Sequence, residues 1–179
     1  MQGLRRTAMT MAALVSISVF AFAANGTDYA LNGGQVHFRV PPGWSAIMEK
    51  TDGDPQAFVF QVPDPAVADS AETASVTVKT RSLHSPAEFP GAVQAEFDLS
   101  KAQPGYERDS AHSDGSAHQY FVQRGKTRYL VRDSFFLTGA IAVQVRCQRP
   151  LIDATPPSWI GMFESGCASV FASVKQTHR

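Results

Sequence analysis

Val36, Phe38 and Val40 alternate with Gln35, His37 and Arg39, the period-two pattern of a half-buried strand. Pro41-Pro42-Gly43 stops it, with proline and glycine at the positions a type II turn favours. Trp44 to Met48 is predicted to return as a second strand, and Asp52-Gly53-Asp54-Pro55 to turn the chain again. Ala57 to Val62 reads as a short apolar strand. Residues 63–73 carry two prolines and three acids and read as a loop. Ala74 to Arg81 alternates around Val76 and Val78, a fourth strand.

The period then changes. Ser85-Pro86 opens a helix, with Ser85 placed to cap, Pro86 suited to the first turn and Glu88 favoured at the positive dipole end. Phe89, Ala92, Val93, Glu96 and Phe97 follow three- and four-residue spacing. Pro90-Gly91 is poor inside a helix, so Gly91 is an alternative start. Pro104-Gly105 ends this region. Tyr106 to His112 and His118 to Arg124 flank Asp114-Gly115, a hairpin signal. After a turn at Gly125, Thr127 to Leu137 and Ala140 to Gln148 form the two longest strands, joined at Thr138-Gly139. Ile141, Val143, Val145 and Cys147 fall on one face of the last strand, and Ala142, Gln144, Arg146 and Gln148 on the other. Pro156-Pro157 precedes a final helix, capped near Ser158. Its apolar stripe runs from Trp159 through Met162, Phe163, Gly166, Cys167, Val170 and Phe171 to Val174. Four strands, a helix, four strands and a helix, with hairpin-length connections, predict an α+β fold: a mostly antiparallel sheet with a middle helix and a C-terminal helix packed on it.

The first 24 residues follow a different logic. Arg5-Arg6, an apolar run from Met11 to Phe22 and Ala21-Phe22-Ala23 make the n-region, h-region and cleavage signature of a signal peptide, cut after Ala23 or Ala24. The run of about 12 residues covers about 18 Å, short of the ~30 Å hydrocarbon core, which disfavours a membrane anchor. Residues 25–179 are then a single globular domain, exported to the periplasm or the extracellular space, with no later segment able to span a membrane. Asn25-Gly26-Thr27 matches a glycosylation sequon but sits at the cleavage edge and carries no weight.

Composition narrows the class without naming it. The chain of 179 residues is 44% apolar and 18% charged, with 16 basic and 16 acidic side chains. That is globular composition, and a zero net charge argues against a nucleic-acid binder.

The strand ending in Pro41-Pro42-Gly43-Trp44, the middle helix, the long hairpin pair and a terminal helix ending in Phe171-Ala172-Ser173-Val174, behind a secretory leader, resemble the PsbP-like superfamily. The resemblance implies an α/β/α sandwich and a non-catalytic protein that works by binding proteins or as an accessory. It assigns no functional residue.

Motif chemistry is sparse. There is no G-x-S-x-G elbow, phosphate-cradling glycine loop or H-E-x-x-H, and no cofactor is expected. His112 and His118 are the best metal pair. A two-residue Asp114-Gly115 turn puts them on opposite faces, whereas a five-residue loop would align them. The first turn is commoner, so they are expected to be exposed polar residues on a hairpin. Cys147 and Cys167 are expected to pair as a disulfide in an oxidising compartment, the alternative being two buried thiols.

Arg124, Lys126, Arg128, Arg132, Arg146 and Arg149 stand against Asp133 alone, which concentrates positive charge on the long hairpin. Arg128 and Arg132 share a face with Leu130 and Ser134, and Arg146 lies with Gln144 and Gln148. If the hairpin aligns these faces, Arg128, Arg132 and Arg146 form a partner-binding surface away from the C-terminal helix, suited to an acidic protein. The plainer reading is a solvated face whose arginines pair with the chain's own acids, such as Asp64, Asp69 and Glu72. The functional expectation is an exported, non-catalytic binding or accessory protein. Alternatives are an immunity-type inhibitor of a toxin and a hydrolase with an unrecognised site.

Overall fold

The computed structural model describes residues 26–67, 73–113 and 117–176. The expected leader, Asn25 of the sequon and the expected turn at Asp114-Gly115 lie outside the described residues. The strands are β1 (Thr27–Leu31), β2 (Val36–Val40), β3 (Ser45–Lys50), β4 (Gln56–Val62), β5 (Ala74–Ser82), β6 (Glu107–Arg108), β7 (Ala117–Arg124), β8 (Thr127–Thr138) and β9 (Ile141–Pro150). The helices are α1 (Phe89–Lys101) and α2 (Pro157–Gln176).

Seven strands make one sheet in the order β3-β4-β5-β9-β8-β7-β6, every pair antiparallel. The crossover that carries α1 lets β9 insert beside β5, so strands distant in sequence form the centre. The fold is the expected α+β arrangement. β1 and β2 form a separate hairpin, from Thr27 opposite Val40 to Leu31 opposite Val36. Thr27–Leu31 is a strand that the sequence pattern does not predict. Only Leu31 of these five is buried, so no alternation marks the segment, and β2 supplies its hydrogen bonds.

Each sheet face buries a different half of the molecule. Phe58, Phe60, Val62, Val76, Val78, Val143, Val145 and Cys147 point to one face. There they meet Trp159, Phe163, Cys167, Val170 and Val174 of α2, and Leu31, Val36, Phe38 and Val40 of the β1–β2 hairpin. Tyr29 bridges hairpin and sheet, with ring centroids 5.0 Å from Phe58 and 4.9 Å from Phe60. On the other face α1 lies over the β5-β9-β8-β7 side. Phe97 contacts Phe135 and His118, and Lys79 Nζ lies 2.6 Å from Glu96 Oε1. The result is three layers, helix and hairpin over sheet over helix.

The helix ends refine the expectations. A 3-10 turn over Pro86–Glu88 leads into α1, which starts at Phe89 with Pro90 in its first turn, where a missing N–H costs nothing. The backbone N–H of His84 donates to Glu88 Oε2, while Ser85 makes no side-chain cap bond. Pro156, not Ser158, offers the first accepting carbonyl of α2, bonded by the N–H groups of Trp159 and Ile160.

Two glycines of α2 test this packing in opposite senses. A Cβ on Gly166 would lie 2.5 Å from Cζ2 of Trp44, whereas one on Gly161 would meet nothing within 4 Å. Alanine normally stabilises a helix interior by about 1 kcal/mol over glycine, and Gly161→Ala should follow that rule. Gly166→Ala should instead destabilise by about 1–3 kcal/mol through overpacking against the indole. Urea denaturation of both variants reads the signs. A Gly166→Ala protein as stable as the parent would mean that Trp44 does not rest on the helix backbone.

Candidate functional site

The turn between β8 and β9 decides which arginines can act together. Thr138 pairs with Ile141 around a two-residue turn, so even-numbered positions of β8 face odd-numbered positions of β9. Arg132 therefore lies opposite Cys147, and Asp133 opposite Arg146. The expected single face carrying Arg128, Arg132 and Arg146 does not form. Arg128 and Arg132 are on the α2 side of the sheet, not away from it, and Arg146 is on the α1 side. The residue that joins Arg132 on its face is Arg149, paired with Leu130.

Arg146 is instead the base of a buried network. Its Nε and Nη2 donate to Asp133 at 2.7 and 2.9 Å, and Asp133 is fully buried. Tyr120 Oη donates to the same carboxylate at 3.1 Å, and Ser100 Oγ of α1 lies 3.1 Å from Tyr120 Oη. Burial favours a neutral Arg146, but the bonded carboxylate outweighs it and raises the guanidinium pKa. Burial and the Asp133 charge push the Tyr120 hydroxyl up to about 12. These groups hold α1 to the sheet and are closed to ligands.

The expected strand from Tyr106 to His112 is cut to β6, Glu107–Arg108, and Ser110–His112 form a 3-10 turn capped by Asp109, so His112 is not set by a hairpin register. The two histidines lie on different sides of the sheet, and His118 is not exposed. It is 2% exposed on the α1 face, stacked among Phe97, Tyr106 and Tyr120, with Nε2 3.1 Å from Tyr106 Oη. His118 faces inward because it has the same parity as Tyr120 and Val122, whose side chains fill that side. His112 is exposed and lies on the α2 side, its Nδ1 2.8 Å from Asp109 Oδ2. Among the described residues no group of three or more candidate metal ligands converges.

Burial holds His118 below the usual histidine range, with the Asp133 charge opposing that shift. The unfolded chain therefore takes up a proton at a pH where the folded chain does not. Stability from this group is full above the unfolded value near 6.5 and falls as pH drops below it toward the folded value. The urea midpoint should fall between about pH 7 and 5, and His118→Phe should flatten that fall. Identical slopes in parent and variant would exclude His118 as the cause.

An open site lies on the α2 face, because α2 and the β1–β2 hairpin cover β4, β5 and β9 and reach β8 through Phe136 on Phe171, but leave the Leu130–Arg132 part of β8 uncovered together with β7 and β6. A groove of about 310 Å³ runs between α2 and this uncovered half. Leu130, Phe163 and the Cys147–Cys167 pair supply its apolar surface, and Gln119, Arg132, Arg149, His112 and Glu164 its polar one. A shallower extension continues along α2 past Ser134, Ala168 and Phe171. The two cysteines form a disulfide with a Cα–Cα distance of 6.3 Å, tying β9 to α2 and fixing one wall. By contrast, the space beneath α1 beside Gln144 and Glu96 is about 20 Å³, room for one water.

Three arginines reach this half-face, and their states differ. Arg128 is spoken for: its Nη2 pairs with Glu107 at 2.5 Å and its guanidinium lies 4.2 Å over the Phe121 ring. Arg132 is exposed and makes no ion pair among the described residues. Arg149 is 11% exposed at its side chain, its closest carboxylate is Glu164 at 3.9 Å, and its Nε has no hydrogen-bond partner among the described residues. Burial lowers the Arg149 pKa, while Glu164 and Asp64 act against that shift. The run of basic residues marks the hairpin, but Arg149, not Arg146, shares a face with Arg128 and Arg132. Parity counting across a two-residue turn was the signal that separates them.

No protein-family model and no curated protein matches the chain. Among solved structures, it is similar to one from Bacteroides thetaiotaomicron VPI-5482, with a TM-score of 0.47 and 14% identity, over 83% of this chain and 47% of that one. The chain thus spans about half the length of that structure. It is also similar to LpqN, involved in cell envelope biogenesis of Mycobacterium tuberculosis, with a TM-score of 0.48 and 10% identity, over 83% of each chain.

Proposed function

We propose that this is an exported, non-catalytic accessory protein that docks a protein partner in the groove beside α2. The observation that carries the reading is the Arg149 guanidinium, buried against apolar groups with its Nε unpartnered while unpaired Arg132 stands at the rim. A buried cation without full compensation is costly, and a partner's carboxylate is the group that offsets the cost. Export is supported by the leader at residues 1–24 and by the disulfide, a bond that persists in oxidising compartments. No helix among the described residues is long and apolar enough to cross a membrane. The resemblance to the PsbP-like superfamily points the same way, toward an accessory rather than a catalyst.

Photo-crosslinking in the native envelope tests the reading. A benzoylphenylalanine placed at exposed Ala168, on the α2 wall of the groove's extension, should give a discrete protein adduct, and one placed at exposed Asp52 in the β3–β4 turn should not. Leu130→Glu, introduced into the groove floor, should reduce the Ala168 adduct at least tenfold while the melting curve stays cooperative. Equal adducts from both positions, or none from Ala168, would reject docking in this groove.

A further inference from the structure

We infer that the element recognised in this groove is a single carboxylate side chain next to a large apolar one, carried on a peptide segment of the partner. The inference rests on the docking reading above and adds the chemistry of what is read.

The anion site follows from the register. Arg149 lies directly across from Leu130, and Arg132 sits two residues further along β8 on the same face. Such diagonal neighbours are about 7–8 Å apart at Cα, within reach of two long side chains converging on one group. The unpartnered Arg149 Nε and the free fork of Arg132 offer N–H donors to one carboxylate, the geometry for which guanidinium is suited. Arg128 does not contribute, because Glu107 and Phe121 already hold it.

Glu164 sets the charge of the ligand. Its carboxylate lies 3.9 Å from Arg149 and is 60% exposed at the groove edge. It repels a second negative charge, so a monoanion is favoured over a phosphate dianion or an acidic run. Size and lining set the rest. At about 310 Å³ the groove is at the small end of ligand sites, which run from about 300 to 1,000 Å³. Its apolar surface is confined to Leu130, Phe163 and the disulfide. That is enough for one aromatic or branched side chain. A long acyl chain would press against Arg132, Glu164 and the unpartnered Arg149 Nε and offer them no hydrogen bond in place of water.

The probes are acetylated, amidated tetrapeptides read by NMR, including the arginine Nε–H resonances. A Gly-Asp-Phe-Gly peptide should give saturable shifts at Arg149, Arg132, Leu130 and Phe163. Replacing its aspartate by asparagine, or its phenylalanine by serine, should each weaken binding about tenfold. Arg149→Lys keeps the charge but loses the Nε–H, and Arg132→Gln removes the second donor at an exposed position that does not threaten folding. Each should weaken the Asp-Phe peptide about tenfold and leave the Asn-Phe peptide unchanged. Equal binding of the Asp and Asn peptides, no saturable shift with any peptide, or tighter binding of laurate or a phosphoserine peptide would overturn the inference. If Ala168 crosslinks persist in the envelope in those cases, docking in the groove stands and only the carboxylate assignment falls.

Discussion

Asp133→Ala should lower the free energy of unfolding by about 3–5 kcal/mol, the usual cost of removing one partner from a buried ion pair. The carboxylate is fully buried and accepts from Arg146 Nε, Arg146 Nη2 and Tyr120 Oη. Its loss strands a guanidinium whose side chain is 24% exposed and leaves the buried Tyr120 hydroxyl with only Ser100 beside it. For a chain of this length that corresponds to a fall in Tm of roughly 6–20 °C. The cost belongs to the stranded charge rather than to a strong net attraction, which a second variant separates. Asp133→Leu combined with Arg146→Met replaces both partners with apolar groups and should recover at least half of the lost stability. Denaturant unfolding of the parent, the single variant and the double variant decides the matter. A double variant no more stable than Asp133→Ala would show that the pair contributes mainly through packing.

Removing the disulfide should have the next largest effect. Cys147 and Cys167 are 20 residues apart, and closing a loop of that length restricts the unfolded chain by about 3 kcal/mol in the chain-entropy model. Both positions are 7% exposed within the main core, so the paired alanine variant also loses packing against Phe163 and Val145. Cys147→Ala/Cys167→Ala should therefore unfold at a denaturant midpoint lower by about 3–5 kcal/mol of stability. Reduction of the parent should reproduce the entropic part without the cavity. Thiol titration of the denatured, unreduced parent should find no free thiol, and two thiols per chain would remove the crosslink from the account. Because the bridge forms one wall of the groove, its loss should also weaken the Asp-Phe peptide, whereas Asp133→Ala, on the opposite face, should not. The two variants thus separate loss of stability from loss of the site.

What the order of residues determined by itself was local. The alternation of Val36, Phe38 and Val40, the Pro-Pro-Gly turn, the long strands meeting at Thr138-Gly139 and the stripe from Trp159 to Val174 all place elements within a few residues of where they lie. They could be read because backbone sterics and side-chain periodicity act within one element. The basic character of the β8–β9 hairpin was legible in the same way. So was the pairing of Cys147 with Cys167, from the apolar side each occupies in its own element. Tertiary structure decided what depends on two segments at once. β1 has no pattern of its own and exists as a strand because β2 supplies its hydrogen bonds. His118 looked like a surface residue until α1 and Tyr106 closed over it. Arg146 and Arg149 are indistinguishable as charges. One sits opposite Asp133 under α1, and the other beside Leu130 in a groove left open because α2 covers only half of its face. Register carries this distinction, since a one-residue difference in position reverses the face of the sheet, and burial then sets whether a guanidinium is neutralised by its own chain or left for a partner.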